Sequence, residues 1–120
     1  GKMPYKKGNS IRIGHYIIRK NKTGYLVYDC VDNKKVDHFW SKSAALAYVK
    51  LDLDGKKLHT EIKKLDKTLE KNQIDAMFYR NTIKKASEEI RKSSARVRLD
   101  IAEENAYNAK YRLIGLIFDN

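Results

Sequence analysis

Between Gly55 and Gly115 the chain contains no glycine and no proline, and apolar residues recur at helical spacing. The first run is Leu58, Ile62, Leu65, Leu69, Ala76, Tyr79, Ile83, Ala86 and Ile90, with Asn72 filling the one missing step. Alternating steps of four and three lay a stripe along one helix face, which is the spacing of a coiled-coil seam. A continuous helix over residues 56–92 would be roughly 55 Å long at about 1.5 Å per residue. Such a helix outruns the short segment before it and needs a second helix, from the same chain or from another copy. The stripe from Leu58 to Ile90 is therefore the expected oligomer seam, and a homodimer the expected assembly. Asn72 would cost the seam stability while fixing its register. Alternatively, residues 71–75 form a turn between two helices.

After Ile90 the phase changes. The next apolar set is Ala95, Leu99, Ala102, Ala106, Ala109, Leu113 and Leu116. The step of five between Ile90 and Ala95 rotates the stripe, with Ser93-Ser94 in the break, so the chain either bends or turns there. The second half is rich in alanine, which lets another helix come close. It carries Glu103 and Glu104 where the first half carries Lys63, Lys64, Lys67 and Lys71, so an antiparallel pairing brings opposite charges together. The closing run, residues 113–118, is the most apolar in the chain and needs cover from the head, a second copy or another protein.

Ahead of this region the pattern is of short β-rich runs separated by turn residues. Residues 15–19, 25–30 and 36–40 read as three strands, with turns at Asn21-Lys-Thr-Gly24 and Asp32-Asn33-Lys34. Ser41 or Ser43 then caps a helix over residues 44–51. Asp52-Leu-Asp-Gly55 ends it, with Asp54 as N-cap of the next helix. The expected fold is α+β: a small three-stranded antiparallel sheet with one helix, then a long coiled-coil-like helix or helical hairpin. The expected organisation is a flexible basic arm over residues 1–10, a β-β-β-α head over 11–54 and a helical region over 55–120.

The run Tyr16-Ile-Ile-Arg, Gly24-Tyr-Leu-Val-Tyr-Asp, Lys35-Val and Phe39-Trp-Ser-Lys-Ser-Ala-Ala-Leu-Ala-Tyr48 resembles the strand–strand–strand–helix module of AP2-type and phage-integrase arm-binding domains. The resemblance covers about a third of the chain. It implies a sheet that reads the DNA major groove with arginine and tryptophan. The second strand here has no arginine and the third holds Asp37. Only Arg12, Arg19, Lys20, Lys22 and Trp40 keep a compatible character, and a purely structural cap remains the other reading.

Charge adds a second set of candidates. The chain holds 26 Lys and Arg against 15 Asp and Glu, a net charge of +11. Such an excess favours anionic partners such as DNA, RNA or an acidic protein. Part of it gathers over residues 80–98, where Arg80, Lys84, Lys85, Arg91, Lys92, Arg96 and Arg98 stand against Glu88 and Glu89. Lys84, Arg91 and Arg98 are seven apart, as a helical row tracking a phosphate backbone would require. The other reading of that row is a solvated coiled-coil face.

Chemistry beyond charge is sparse. His15, His38 and His59 lack metal-ligand spacing, and there is no phosphate loop or nucleophile elbow. Neither a cofactor nor a metal is expected, and no residue is assigned a catalytic role. The lone Cys30 allows no internal disulfide and suits a reducing, cytoplasmic or otherwise intracellular setting, or a virion or infected cell. No apolar run is long enough to span a bilayer. The expected function is a non-enzymatic, self-associating nucleic-acid-binding protein. Its rival is a viral or phage structural or assembly adaptor acting through coiled-coil contacts.

Overall fold

The computed structural model describes residues 10–118. The basic arm expected over residues 1–10 lies outside them, except Ser10, which opens the first strand. The fold is α+β: a four-stranded antiparallel meander of β1 (Ser10–Ile13), β2 (Tyr16–Asn21), β3 (Gly24–Asp29) and β4 (Lys34–Phe39), then α1 (Lys42–Leu53), α2 (His59–Lys85) and α3 (Glu89–Phe118). The sheet has one strand more than the pattern suggested. β1 was missed because only Gly14 and His15 separate it from β2. Gly14 has φ +58° and supplies the positive φ that a two-residue hairpin turn requires.

Alternation along the strands sorts the sheet into two faces. Ile18 of β2 pairs with Val27 of β3, and Tyr25 with Phe39 of β4. This face meets the helices, and Ile18, Val27, Phe39, Val49, Leu51, Ile62, Leu69 and Leu113 share one buried cluster. The opposite face carries Arg12, Ile17, Arg19, Leu26 and His38. At the β2–β3 turn Asn21 Oδ1 accepts the Thr23 N–H at 3.0 Å. Gly24 follows because β4 passes directly behind it: a Cβ there would lie 2.2 Å from the Phe39 carbonyl oxygen.

Helix α1 starts at Ser41, whose Oγ accepts the Ala44 N–H at 3.1 Å. It ends at Asp54, where the Lys56 N–H turns back to the Leu51 carbonyl at 2.8 Å. Asp54 therefore closes α1 rather than capping α2. The residue preceding α2 is Leu58, which makes no side-chain cap.

The long segment is a hairpin. The chain reverses at Ala86-Ser87-Glu88, not at Ser93-Ser94, and Asn72 lies inside α2 rather than in a turn. The Ala86 N–H closes α2 on the Thr82 carbonyl and the Lys92 N–H opens α3 on that of Glu88. The charges agree with this site: Lys84 and Lys85 sit at the negative end of α2, and Glu89 in the first turn of α3.

The helix that meets the seam is thus α3 of the same chain. Ile62, Leu69, Asn72 and Ala76 are buried, and Leu58, Leu65, Tyr79, Ile83 and Ala86 half-buried. Ile90, in phase with the seam in sequence, is 85% exposed because it lies beyond the reversal. From α3, Ala95, Ala102, Ala106, Ala109 and Leu113 are buried as their spacing implied. Two polar contacts set the register. Asn72 donates to the Thr68 carbonyl at 2.8 Å and accepts from Asn105 at 3.4 Å, and Arg80 reaches Glu103 at 2.6 Å. The apolar C-terminal run ends on the head, with Leu116 and Ile117 packed against the core.

One buried carboxylate joins hairpin to head. Asp66 of α2 is 4% exposed. It accepts the Trp40 N–H at 2.6 Å, the Ser41 N–H at 3.0 Å and the Ser41 hydroxyl at 2.8 Å. Replacing Asp66 by Ala strands these donors at the β4–α1 corner, so urea unfolding should register a loss of about 3 kcal/mol. The Asn72→Leu variant should move the other way, by about 1 kcal/mol and a few degrees in Tm, as apolar contact replaces a polar seam position. A lower Tm with reduced helical circular dichroism would show instead that the Asn72–Asn105 contact holds the hairpin together.

Candidate functional site

The basic candidates fall into three places. Arg12 and Arg19 lie on the sheet face away from the helices, where Arg12 Nε donates to the Gly14 carbonyl at 3.3 Å. Lys84, Lys85, Arg91, Lys92, Arg96 and Arg98 surround the hairpin tip. The expected single row is broken there: Lys84 belongs to α2, while Arg91 and Arg98 belong to the antiparallel α3. Arg96 also pairs with Glu89 at 3.3 Å. Lys20, Lys22 and Trp40 come together in a groove between the head and the hairpin.

The groove is built from the β2–β3 turn, the start of α1, and the facing sides of α2 and α3. Lys20 and Tyr25 are cross-strand partners, and the Lys20 ammonium lies 5.4 Å from the Tyr25 ring centre. Lys22 and Thr23 form the turn. Trp40 follows β4 directly and is gripped twice by α2: its backbone N–H by Asp66 and its indole Nε1–H by Gln73 Oε1 at 2.7 Å. Asp66 and Gln73 are seven residues apart, two turns along one helix face.

Two clefts meet at Trp40, Gln73 and Lys110. One, of about 400 Å³, has Ala76 and Ala106 in its lining, Met77 and Tyr107 as exposed walls, and the Arg80–Glu103 pair beside them. The other, of about 380 Å³, is lined by Lys20, Lys22, Tyr25 and the first residues of α1, Ser41, Lys42 and Ser43. Among the described residues, Lys20, Lys22, Lys42 and Lys110 have no carboxylate partner. The first turn of α1 likewise holds no acidic residue. One end of the groove thus offers aromatic and thioether surface, and the other uncompensated positive charge.

Sequence reasoning missed Lys42, Gln73, Arg80, Tyr107 and Lys110. Lys42 stands two residues from Trp40, a local signal. The others come from α2 and α3, and only knowledge of where the chain reverses and how the hairpin docks could pair them with Trp40.

A second polar cluster ties β4 to the start of α2. Asp37 contacts His59 and accepts from Lys63 Nζ at 3.1 Å and from the His38 N–H at 2.6 Å. Lys63 also donates to the His38 carbonyl at 2.7 Å and lies over the Phe39 ring. Asp37 faces the helices, paired with Val27, and so does not burden the open sheet face. At the C-terminal end of α1, Tyr16 donates to Asp52. Burial, then that hydrogen bond, pushes the Tyr16 phenol well above its ordinary value, and burial also raises Tyr48. Among the described residues no three His, Cys, Asp or Glu side chains gather as a metal site, and no helix is long and apolar enough to cross a membrane.

No protein-family model, curated protein or solved structure matches the chain.

Burial alone would raise the Asp37 carboxyl. Donation from His38, His59 and Lys63 outweighs it and holds the group below the ordinary carboxylate range. Its contribution to stability is therefore complete above the unfolded-state value near about 4 and is lost as pH falls through the lower folded value. Urea unfolding between about pH 6 and pH 3 should show this loss. Asp37→Asn should be less stable at neutral pH and show a shallower acid dependence; an unchanged slope would mean the cluster does not hold Asp37 ionised.

Proposed function

We propose that this protein is a non-enzymatic nucleic-acid-binding module that holds its ligand in the Trp40 groove. The observation that carries the reading is the convergence of Lys20, Lys22, Lys42 and Lys110, without carboxylate partners among the described residues, around a tryptophan held by one backbone and one indole hydrogen bond. Lysines that neutralise phosphates release condensed counterions, and aromatic rings beside them stack on bases. Arg12 and Arg19 on the open sheet face, and the basic hairpin tip, would add phosphate contacts to a longer ligand. An intracellular setting accords with the lone Cys30. The expected dimer rested on a seam in need of a partner; α3 now meets that seam, so this reading does not depend on self-association.

A second reading, an assembly adaptor, draws on the exposed Ile74, Met77 and Phe78 of α2 and Val97 and Ile101 of α3. Apolar side chains of this size on an exposed helix surface suit a protein partner.

Electrophoretic mobility shift with DNA and RNA across a salt series separates the two. The expected result is a shift near about 50 mM salt that weakens with a log–log slope of about −3, as for roughly four phosphate contacts on a single strand. Lys42→Glu with Lys110→Glu should abolish it. Absence of binding to either nucleic acid at about 100 mM salt would overturn the proposal and leave the adaptor reading.

A further inference from the structure

We infer that the two clefts flanking Trp40 form one seat for a nucleotide unit, so that the ligand is single-stranded and presents a base face to Trp40. This deepens the nucleic-acid reading and rests on it. The clefts adjoin, sharing Trp40, Gln73 and Lys110 as common walls, yet they differ in chemistry. The first has apolar and aromatic walls in Met77, Tyr107 and Trp40, with the mutually paired Arg80 and Glu103 also in its lining. The second is the more polar and gathers Lys20, Lys22, Lys42 and Lys110, which have no carboxylate partner among the described residues. A nucleotide in a single strand has the same division: a flat, weakly polar base joined to an anionic phosphate. At about 400 and 380 Å³ the clefts fall at the small end of the range of roughly 300–1,000 Å³ that suits small ligands.

A duplex does not fit this arrangement. Its bases are stacked on each other, and it offers a protein phosphates and groove edges; a base face reaches a pocket only after costly extrusion from the stack. A single strand presents its base faces directly, and stacking on aromatic side chains is tolerant of sequence. The seat is also preorganised. Trp40 is held from the backbone by Asp66 and from the indole by Gln73, so little side-chain freedom remains to be lost on binding. With Oε1 of Gln73 taken by the indole, its amide N–H₂ group is the donor left at the junction of the two clefts.

Trp40 is the only tryptophan in the chain, so intrinsic fluorescence reports on the seat itself. The protein is titrated with a dye-labelled thymidine oligonucleotide of about 12 residues, an abasic strand with the same phosphates, and a duplex of equal length, following dye anisotropy and Trp40 emission together. The expected result is saturable quenching of Trp40 by the thymidine strand, with the abasic strand and the duplex each bound about tenfold more weakly and without quenching. Tyr107→Ala and Lys42→Glu, both at exposed positions, should each weaken binding of the thymidine strand while circular dichroism is unchanged. If anisotropy reports binding while Trp40 emission stays constant, or if the duplex binds as tightly as the single strand, the seat is wrong although the protein binds nucleic acid. If anisotropy changes with none of the three, the nucleic-acid reading itself fails.

Discussion

A single buried carboxylate decides how the two parts of this molecule meet. Asp66 accepts three hydrogen bonds from the corner where β4 hands over to α1. Those donors are otherwise orphans: a strand has just ended and a helix has not yet begun. Because the acceptor belongs to α2, satisfying the corner also fixes the hairpin against the sheet. Ser41 is oriented to cap α1 by the same contact, and Trp40 is set in the mouth of the groove. A buried polar group must be fully hydrogen-bonded to be tolerated, so the geometry allows little slack, and the groove inherits that rigidity.

The hairpin divides into two unequal lengths. Near the head, Ile62, Leu69, Ala106, Ala109 and Leu113 belong to the common core. Farther out, α2 and α3 bury only each other, through small side chains such as Ala76, Ala95 and Ala102. Alanine seams bring helices close but remove little apolar area, and here Asn72 with Asn105 and Arg80 with Glu103 select the register of the outer part. The molecule measures 58 × 33 × 18 Å, elongated by that projecting arm.

Periodicity made both apolar stripes legible in sequence, and the alanine set from Ala95 to Leu113 was read nearly as it packs. What periodicity could not supply was the partner. A seam looks the same whether the second helix is the next in the chain or belongs to another copy. The reversal lay within reach: Lys84-Lys85 before Ala86-Ser87 and Glu88-Glu89 after it form the charge signature of one helix ending and another starting. It was obscured because Ile90 falls in phase with the stripe before it, and because neither glycine nor proline marks the turn. β1 escaped notice for want of a longer loop before β2. The groove was legible only at its local end, through Lys20, Lys22 and Trp40. Its far walls, Gln73, Met77, Tyr107 and Lys110, arrive from residues more than thirty positions beyond Trp40, and no one-dimensional pattern encodes that meeting. Asp66, amid lysines on a helix, had no feature to distinguish it from a solvated acid.

The docking of the C-terminal run on the head bears on how the chain is made. Helix α1 lies on the sheet's inner face, and Leu113 completes the same buried cluster as Phe39 and Val27, so the core is not closed until the last turns of a 30-residue helix arrive. During synthesis the strands emerge before the helices, with their apolar face open to water. Local hairpins form within microseconds, far faster than a ribosome adds residues, yet α1 follows only after β4, and the two helices that close the core follow α1. Over that interval the lysines and arginines of the strands and turns repel neighbouring copies, so the positive charge of the folded surface also opposes edge-to-edge pairing of unfinished chains.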